Sequence, residues 1–147
     1  VYTLWRRSFW HPSLQAFDAP SREECVAERP ISNTPLQALV LLNDPTYVEA
    51  ARKFAGQLII PGKNDRARID RAFRLALARP PTNEESKLLI RLLEHHRSQF
   101  AGNPNAAKAL LQNGEAGNNP AHDSVELAAW TSVTRTILNL HETITRN

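Results

Sequence analysis

The segment DSVELAAWTSVTRTILNLHETIT, residues 123–145, has the pattern of a long helix with a wide apolar surface. Its apolar residues recur at intervals of three and four, which is the spacing of one face of an α-helix. One predicted face contains Trp130, Val133, Ile137, Leu140 and Ile144, and an adjacent face contains Leu127, Thr131, Thr134 and Leu138. A helix with so wide an apolar arc is typical of a buried position. The sequence therefore predicts a central helix running from about Asp123 to near Thr145.

Signals for helix starts recur through the rest of the chain. A serine, threonine, aspartate or asparagine that precedes a proline, or that opens a capping box, is typical of a first helical turn. The predicted N-caps of this kind are Thr34, Asp44, Thr82 and Asn103, and Asp65 is a further candidate at the start of the next apolar stripe. Pro-Gly, Pro-Pro and Asn-Gly pairs predict where these helices end, and no hairpin signal is found. The sequence therefore predicts an all-α fold, an irregular bundle of about five or six helices within residues 34–145.

Residues 1–30 are predicted to form an irregular, aromatic-rich N-terminal arm. Pro12, Pro20 and Pro30 interrupt any long element in this segment. The aromatic residues of the arm are Trp5, Phe9, Trp10 and Phe17. Side chains of this size need an apolar surface to pack on, either the domain's own helices or an upstream domain. These four residues are therefore the candidate interaction surface.

Composition excludes several classes of protein. A chain of 147 residues suits a single domain that needs neither disulfides nor a metal to fold. Eighteen basic and fifteen acidic residues leave a formal charge of +3, too mild to indicate nucleic-acid binding. Cys25 is the only cysteine, which excludes a cysteine-rich zinc site and a c-type haem attachment motif. No apolar run approaches the roughly 20 residues that span a bilayer. We therefore expect no metal, no cofactor, no nucleic-acid partner and no membrane span.

Several motifs are similar to those of one family. They are DAPSREEC (18–25), NTPLQAL (33–39), LLNDP (41–45), RAFRLALARPPT (71–82) and LNL (138–140). Together they resemble the domain of unknown function that ends large planctomycete-type proteins, many of which begin with a cytochrome-c-like domain. The similarity covers most of the chain and is weakest from residue 102 to residue 123. One departure is Glu28-Arg29, where relatives tend to carry a basic pair before the Asn-Thr-Pro-Leu-Gln segment.

The resemblance implies a context rather than an activity. It implies an exported bacterial protein with several domains, in which any haem lies in a separate N-terminal domain. The chain would then be the C-terminal part of a larger, extracytoplasmic protein, periplasmic or secreted. Its expected partners are the upstream domains of the same polypeptide, with an anionic glycan or a cytochrome domain as further possibilities.

Four polar residues are candidates for a binding site: Asp18, Arg22, Asn33 and Gln37. Asn33 and Gln37 lie at a predicted helix start, where free N–H groups favour an anion. Asp18 and Arg22 could place a carboxylate and a guanidinium around a ligand. Alternatively, Asn33 and Gln37, with Thr34, Asn43 and Asp44, match the chemistry of helix caps and loop bracing. Asp18 could likewise end a turn or cap a helix, and Arg22 could pair with a neighbouring acid. Both interpretations are open at this point.

Three arginines of the third predicted helix, Arg68, Arg71 and Arg74, share one helical face. They could bind an acidic glycan or a phosphate. Alternatively, Asp65 and Asp70 could pair with them and form a solvated, salt-bridged face.

The sequence contains no Gly-rich phosphate loop, nucleophile elbow or catalytic carboxylate pair. The first hypothesis is therefore a non-catalytic accessory or protein-interaction domain that braces an upstream domain. The alternative is a composite active site, with Asp18, Arg22, Asn33 and Gln37 completing an extracytoplasmic hydrolase or redox enzyme acting on polysaccharide. A third hypothesis is electron-transfer docking to a cytochrome, which the mild positive charge would assist.

Overall fold

The computed structural model describes residues 11–20, 27, 32, 34–116 and 122–144, which form eight helices and no strand. The helices are α1 (Pro12–Ala16), α2 (Pro35–Asn43), α3 (Pro45–Leu58), α4 (Asp65–Leu77), α5 (Asn83–Gly102), α6 (Pro104–Leu111), α7 (Ser124–Leu138) and α8 (His141–Ile144). The predicted all-α fold is confirmed. The predicted helices correspond to α2–α7, and the short helices α1 and α8 were not expected. In the described part of the chain, no helix is long and apolar enough to cross a membrane.

Helix α1 corrects the prediction that residues 1–30 are irregular throughout. Pro12 occupies the first helical position, where its missing N–H has no partner to lose. The ring nitrogen Nδ1 of His11 accepts a hydrogen bond from the backbone N–H of Ser13 at 3.3 Å and caps the helix. The proline therefore starts a helix instead of interrupting one.

The predicted N-caps are mostly confirmed. The side chains of Asp44, Thr82 and Asn103 each accept a backbone N–H bond in the first turn of α3, α5 and α6. Thr34 lies at the N-cap of α2, as predicted, and its side chain makes no cap bond. One prediction was wrong in detail. Asn64 caps α4 through the N–H of residue 67 at 2.8 Å, so Asp65 is the first helical residue rather than the cap.

Helix α7 lies at the centre of the bundle, as its sequence predicts. Its side chains Ala128, Ala129, Trp130, Val133 and Ile137 are all 0% exposed. Helices α3, α5 and α6 pack around it, and α4 adds a smaller contact. Full burial of a large apolar side chain contributes about 1.5–3 kcal/mol. The core is therefore built around α7.

Helices α3 and α7 approach closely through small side chains. Ala51 and Ala55 of α3 are 1% and 0% exposed. The hydroxyl of Thr134 lies 2.9 Å from the carbonyl oxygen of Ala51 and 3.0 Å from that of Trp130, so it can donate across the interface or within α7. The hydroxyl of Thr131 donates to the carbonyl of Leu127 at 2.7 Å. Buried threonines are tolerated in α7 because their hydroxyls reach carbonyl oxygens.

The prediction of one helix to near Thr145 was wrong, because α7 ends at Leu138 and a turn separates it from α8. The hydroxyl of Thr143 donates to the carbonyl of Ile137 at 2.9 Å, and the backbone N–H of Leu140 donates to the same oxygen at 3.2 Å, so the last carbonyls of the helix are satisfied within the turn. Leu140 still packs against the core. The apolar periodicity therefore continues through the turn, which explains why the sequence pattern does not reveal the end of α7.

The segment after α6 is held against α3 by two charged side chains. Arg52 is only 4% exposed and donates to the backbone carbonyls of Leu111 and Ala116. The carboxylate of Glu49 accepts two backbone N–H bonds from the same segment, at 2.7 and 3.2 Å. Gly114 has φ +92°, and a Cβ there would lie 2.1 Å from Oε2 of Glu49. Both the positive φ and the lack of space for a Cβ therefore require glycine in this turn.

A capping box starts α5, and Arg79 links it to α8. Oγ1 of Thr82 accepts the N–H of Glu85 at 3.2 Å, and Glu85 accepts the N–H of Thr82 at 2.6 Å. Arg79 donates to both oxygens of Glu85 at 2.8 and 3.0 Å, and to Glu142 of α8 at 2.9 Å. Chiefly because of the bonds from Arg79, the pKa of Glu85 falls to about 2.

We expect Glu85→Gln to flatten the dependence of stability on acid pH. The ordinary pKa of this carboxyl is 4.5 and the folded value is about 2. The contribution of Glu85 is therefore complete above pH 4.5 and is lost as the pH falls towards 2. Because the site is largely solvated, the loss should stay below about 1 kcal/mol. Urea unfolding between pH 6 and pH 2 measures it. Glu84→Gln, at an exposed neighbouring position, is the control, and identical profiles for the two variants would contradict the prediction.

Candidate functional site

Two of the four predicted binding residues, Asp18 and Gln37, meet at Ser32. Oδ2 of Asp18 accepts the backbone N–H of Ser32 at 2.8 Å and its hydroxyl at 2.6 Å. Nε2 of Gln37 donates to the carbonyl of Ser32 at 3.0 Å and to its Oγ at 3.2 Å. We call Asp18, Ser32 and Gln37 the polar cluster. It joins the residues after α1 to the first turn of α2.

The backbone at Asp18 places its carboxylate in the cluster. Asp18 has φ +54°, a left-handed conformation that aspartate tolerates better than most residues. The chain reverses there, and the N–H of Ala19 donates back to the carbonyl of Leu14 at 3.0 Å. The hydroxyl of Ser32, followed by its backbone N–H, lowers the pKa of Asp18 below its ordinary value. The carboxylate is therefore charged at neutral pH.

The side-chain oxygen of Gln37 takes no part in the hydrogen bonds of the polar cluster. This side chain is only 2% exposed. Oε1 is buried and has no hydrogen-bond partner among the described residues. A buried carbonyl oxygen without a donor costs about 1–3 kcal/mol. This oxygen is therefore the point of the cluster at which an additional donor would be accommodated.

The chemistry of the polar cluster fits bracing better than proton transfer. Ser32 uses its hydroxyl both to donate to Asp18 and to accept from Gln37. A carboxylate with a lowered pKa is a weak base and activates a hydroxyl poorly. The other two predicted binding residues, Arg22 and Asn33, lie outside the described residues. The sequence analysis missed Ser32, although a serine just before a helix start is a common backbone-bracing residue.

A second set of contacts fixes the start of α3. Asp44 accepts the N–H of Thr46 at 2.9 Å as its cap and the hydroxyl of Ser13 from α1 at 2.7 Å. Burial raises the pKa of Asp44, but these bonds and the nearby His11 outweigh it and leave the pKa below its ordinary value. Nδ2 of Asn43 donates to the carbonyl four residues earlier at 2.9 Å. The capping interpretation is confirmed for Asp44.

Of the predicted aromatic surface, the structure describes Phe17. Phe17 is half-buried and packs edge-to-face on Tyr47 of α3, with 6.2 Å between the ring centroids. Trp5, Phe9 and Trp10 lie outside the described residues, so the aromatic-rich arm stays a prediction. Burial, and then the charge of Asp44, raises the pKa of Tyr47. In the described part of the arm, the aromatic side chain packs on the domain's own helices.

An ion-pair network that the sequence analysis missed connects three helices. Arg97 of α5 bonds to Asp65 of α4 at 2.6 Å and to Glu126 of α7 at 2.5 Å. The indole N–H of Trp130 donates to Glu126 at 2.9 Å, and the guanidinium of Arg68 lies 5.9 Å from the Trp130 ring. The bond from Arg97 is the main cause of the lowered pKa of Asp65. These charges satisfy one another, which is typical of a structural network.

The predicted basic face of α4 is partly salt-bridged. Arg74 bonds to Asp70 at 2.9 Å, and Arg68 lies 3.4 Å from both Asp65 and Glu126. The salt-bridge interpretation is therefore confirmed for Arg68 and Arg74. Arg71, between them, has no carboxylate within 4.0 Å in the described structure. Across the same residues, no three histidine, cysteine, aspartate or glutamate side chains are placed to hold a metal ion.

The outward surface of α2 is apolar. Leu36 and Leu39 are each 56% exposed, and both rank among the large exposed hydrophobic residues. The helix sequence PLQALVLLN has its polar side chains at Gln37, which is buried, and at Asn43, the last residue. A surface helix normally shows a polar face to solvent. The polar cluster therefore lies at the first turn of a helix whose exposed side has no polar face.

Comparison with known proteins gives a family and no activity. No curated protein and no solved structure matches the chain. One family of proteins of unknown function matches residues 1–93, which include the DAPSREEC, NTPLQAL and LLNDP motifs and the polar cluster. That match covers more than half of the chain. The chain therefore belongs to the PSD1 family of proteins of unknown function (DUF1553).

Proposed function

We propose that the chain is a non-catalytic protein-interaction domain of a large exported polypeptide, and that the outward surface of α2 docks onto another domain of that polypeptide. The observation that carries the proposal is the exposure of Leu36 and Leu39 on a helix without a polar outer face. Contiguous exposed apolar side chains are typical of interaction surfaces. The extracytoplasmic location and the partner domain come from the family resemblance described above.

The size of the α2 surface suits a contact within one polypeptide. Full burial of a leucine contributes about 1.5–3 kcal/mol, and these two are already about half-buried, so docking them would contribute only part of that. A linked partner has a high effective concentration, so a small contact area is sufficient to hold the domains together. Interfaces between domains of one chain are typically modest and partly polar.

The polar cluster supports this role by fixing the start of α2. Asp18 and Gln37 both hold Ser32, so the segment preceding the helix is tied to α1. Arg135 of α7 donates to the carbonyl of Leu42 near the other end of α2. A helix fixed at both ends presents its leucines in a constant geometry, which lowers the entropy cost of docking.

Site-specific crosslinking in the native polypeptide that carries this chain tests the proposal. A photoreactive benzoylphenylalanine replaces Leu39, and the matched control replaces Leu88, an exposed leucine of α5 (63% exposed). We expect position 39 to crosslink to residues of the same polypeptide outside residues 1–147 and position 88 not to do so. Crosslinks from position 39 that stay within residues 1–147, or equal crosslinking from both positions, would overturn the proposal.

The composite active site is the second candidate, and the open oxygen of Gln37 is the observation that favours it. A substrate or an upstream residue with a donor group would satisfy Oε1, and Asp18 would add negative charge beside it. Turnover of polysaccharide by the native polypeptide, unchanged after Arg22→Ala and Gln37→Ala, would exclude this role. A loss of turnover with unchanged folding, measured by circular dichroism, would favour it over the docking role.

A further inference from the structure

A groove of about 390 Å³ runs between the end of α3, the turn that follows it and α4. Its apolar part is formed by Leu58, Ile60 and Leu75. Leu58 is completely buried, whereas Ile60 is half-buried and Leu75 is 53% exposed. The apolar surface that remains open to a partner is therefore formed by Ile60 and Leu75.

The rim of the groove is strongly basic. The charged residues that line it are Lys63, Arg68, Asp70, Arg71 and Arg74, which together carry a formal charge of +3. Arg68 and Arg74 are already paired with carboxylates. Lys63 and Arg71 have no carboxylate within 4.0 Å among the described residues, and both are exposed. The charge of the groove is therefore only partly neutralised by its own protein.

The groove is open to solvent, and this indicates what size of partner it fits. Lys63, Arg71, Arg74 and Leu75 are all exposed, so a ligand in the groove would keep one side in solvent. Sites for small molecules typically bury about 70–90% of the ligand surface. A groove that covers one side only fits a segment of a larger partner better than a free small molecule.

We propose that this groove binds an acidic peptide segment of a protein partner. An apolar side chain of the segment would pack on Ile60 and Leu75, and carboxylates on either side of it would pair with Lys63 and Arg71. Charge complementarity selects the acidic segment, and the apolar surface of Ile60 and Leu75 favours a hydrophobic residue within it. The site is built from α3, α4 and the turn between them, so it does not depend on docking through α2.

A titration of the ¹⁵N-labelled chain with a synthetic peptide tests this site. The probe is acetylated and amidated Glu-Asp-Leu-Leu-Asp-Glu, and the matched control peptide is Gln-Asn-Leu-Leu-Asn-Gln. We expect saturable shifts of backbone amide signals between residues 58 and 75 with the acidic peptide only. The affinity should fall as salt is raised from 50 to 300 mM, because exposed ion pairs are screened.

Charge-matched variants separate the groove from the overall charge of the chain. The double variant Lys63→Gln/Arg71→Gln should weaken binding about threefold to tenfold. Arg66→Gln/Lys87→Gln removes the same charge outside the groove and should change the affinity less than twofold. Equal losses in both double variants, equal binding of the neutral peptide, or no shifts with either peptide would overturn the proposal. Saturable binding of octanoate without binding of the acidic peptide would also overturn it, and would indicate a small amphiphilic anion.

Discussion

Replacing Trp130 by alanine is expected to lower the free energy of unfolding by about 3–5 kcal/mol. Trp130 is completely buried in α7, and its indole N–H bonds to Glu126 at 2.9 Å. Its loss leaves a large cavity at the centre of the bundle and removes one partner from the ion-pair network. Both effects act on the same three helices, because Glu126, the hydrogen-bond partner of Trp130, joins α7 to Arg68 of α4 and Arg97 of α5.

Urea unfolding at pH 7, followed by circular dichroism at 222 nm, measures the effect. Trp130→Phe keeps much of the volume but loses the hydrogen bond, and should cost clearly less than the alanine variant. Leu88→Ala, at an exposed position of α5, should change stability by less than about 0.5 kcal/mol. If Trp130→Ala were no more destabilising than Leu88→Ala, the central position of α7 would be wrong.

Replacing Arg52 by alanine is the second large effect, with an expected cost of about 2–4 kcal/mol. The guanidinium is 4% exposed and donates to the carbonyls of Leu111 and Ala116. Without it, these carbonyl oxygens lose their charged donor. Arg52→Lys should recover only part of the loss, because an ammonium group lacks the planar fork of a guanidinium.

The Arg52 variants call for two measurements, one of the stability of the whole domain and one of a single segment. Urea unfolding gives the total cost, and amide hydrogen exchange in residues 112–116 reports the release of the segment from α3. Lys87→Ala is the control, since it removes a cation from an exposed position of α5. Unchanged exchange in this segment together with wild-type stability would contradict the bracing role of Arg52.

The sequence allowed the helices to be predicted because their starts are local. Asp44, Thr82 and Asn103 act on backbone groups within three residues, so the side chain that sets the boundary is visible beside it. The exceptions are also local in origin. His11 caps α1 through a ring nitrogen, an unusual acceptor for this position, and the turn after Leu138 interrupts a helix without interrupting its apolar pattern.

The contacts of the candidate sites could not be predicted in the same way, because their partners are far apart in the chain. Asp18 bonds to Ser32 across 14 positions, and Arg97 reaches Asp65 across 32 and Glu126 across 29. Each of these side chains, taken alone, resembles an ordinary exposed charge or a cap. Their pairing follows from how the helices pack, and periodicity does not determine that.

The central position of α7 also affects how the protein folds during synthesis. Helix α3 is synthesised well before α7, yet its largest helix contact is with α7, and Ala51 and Ala55 are buried in the folded domain. Until α7 is available, the surface of α3 that packs on it therefore stays exposed. Stable folding must then wait for residues up to 138, and chaperones that hold exposed apolar segments have a substrate during that interval.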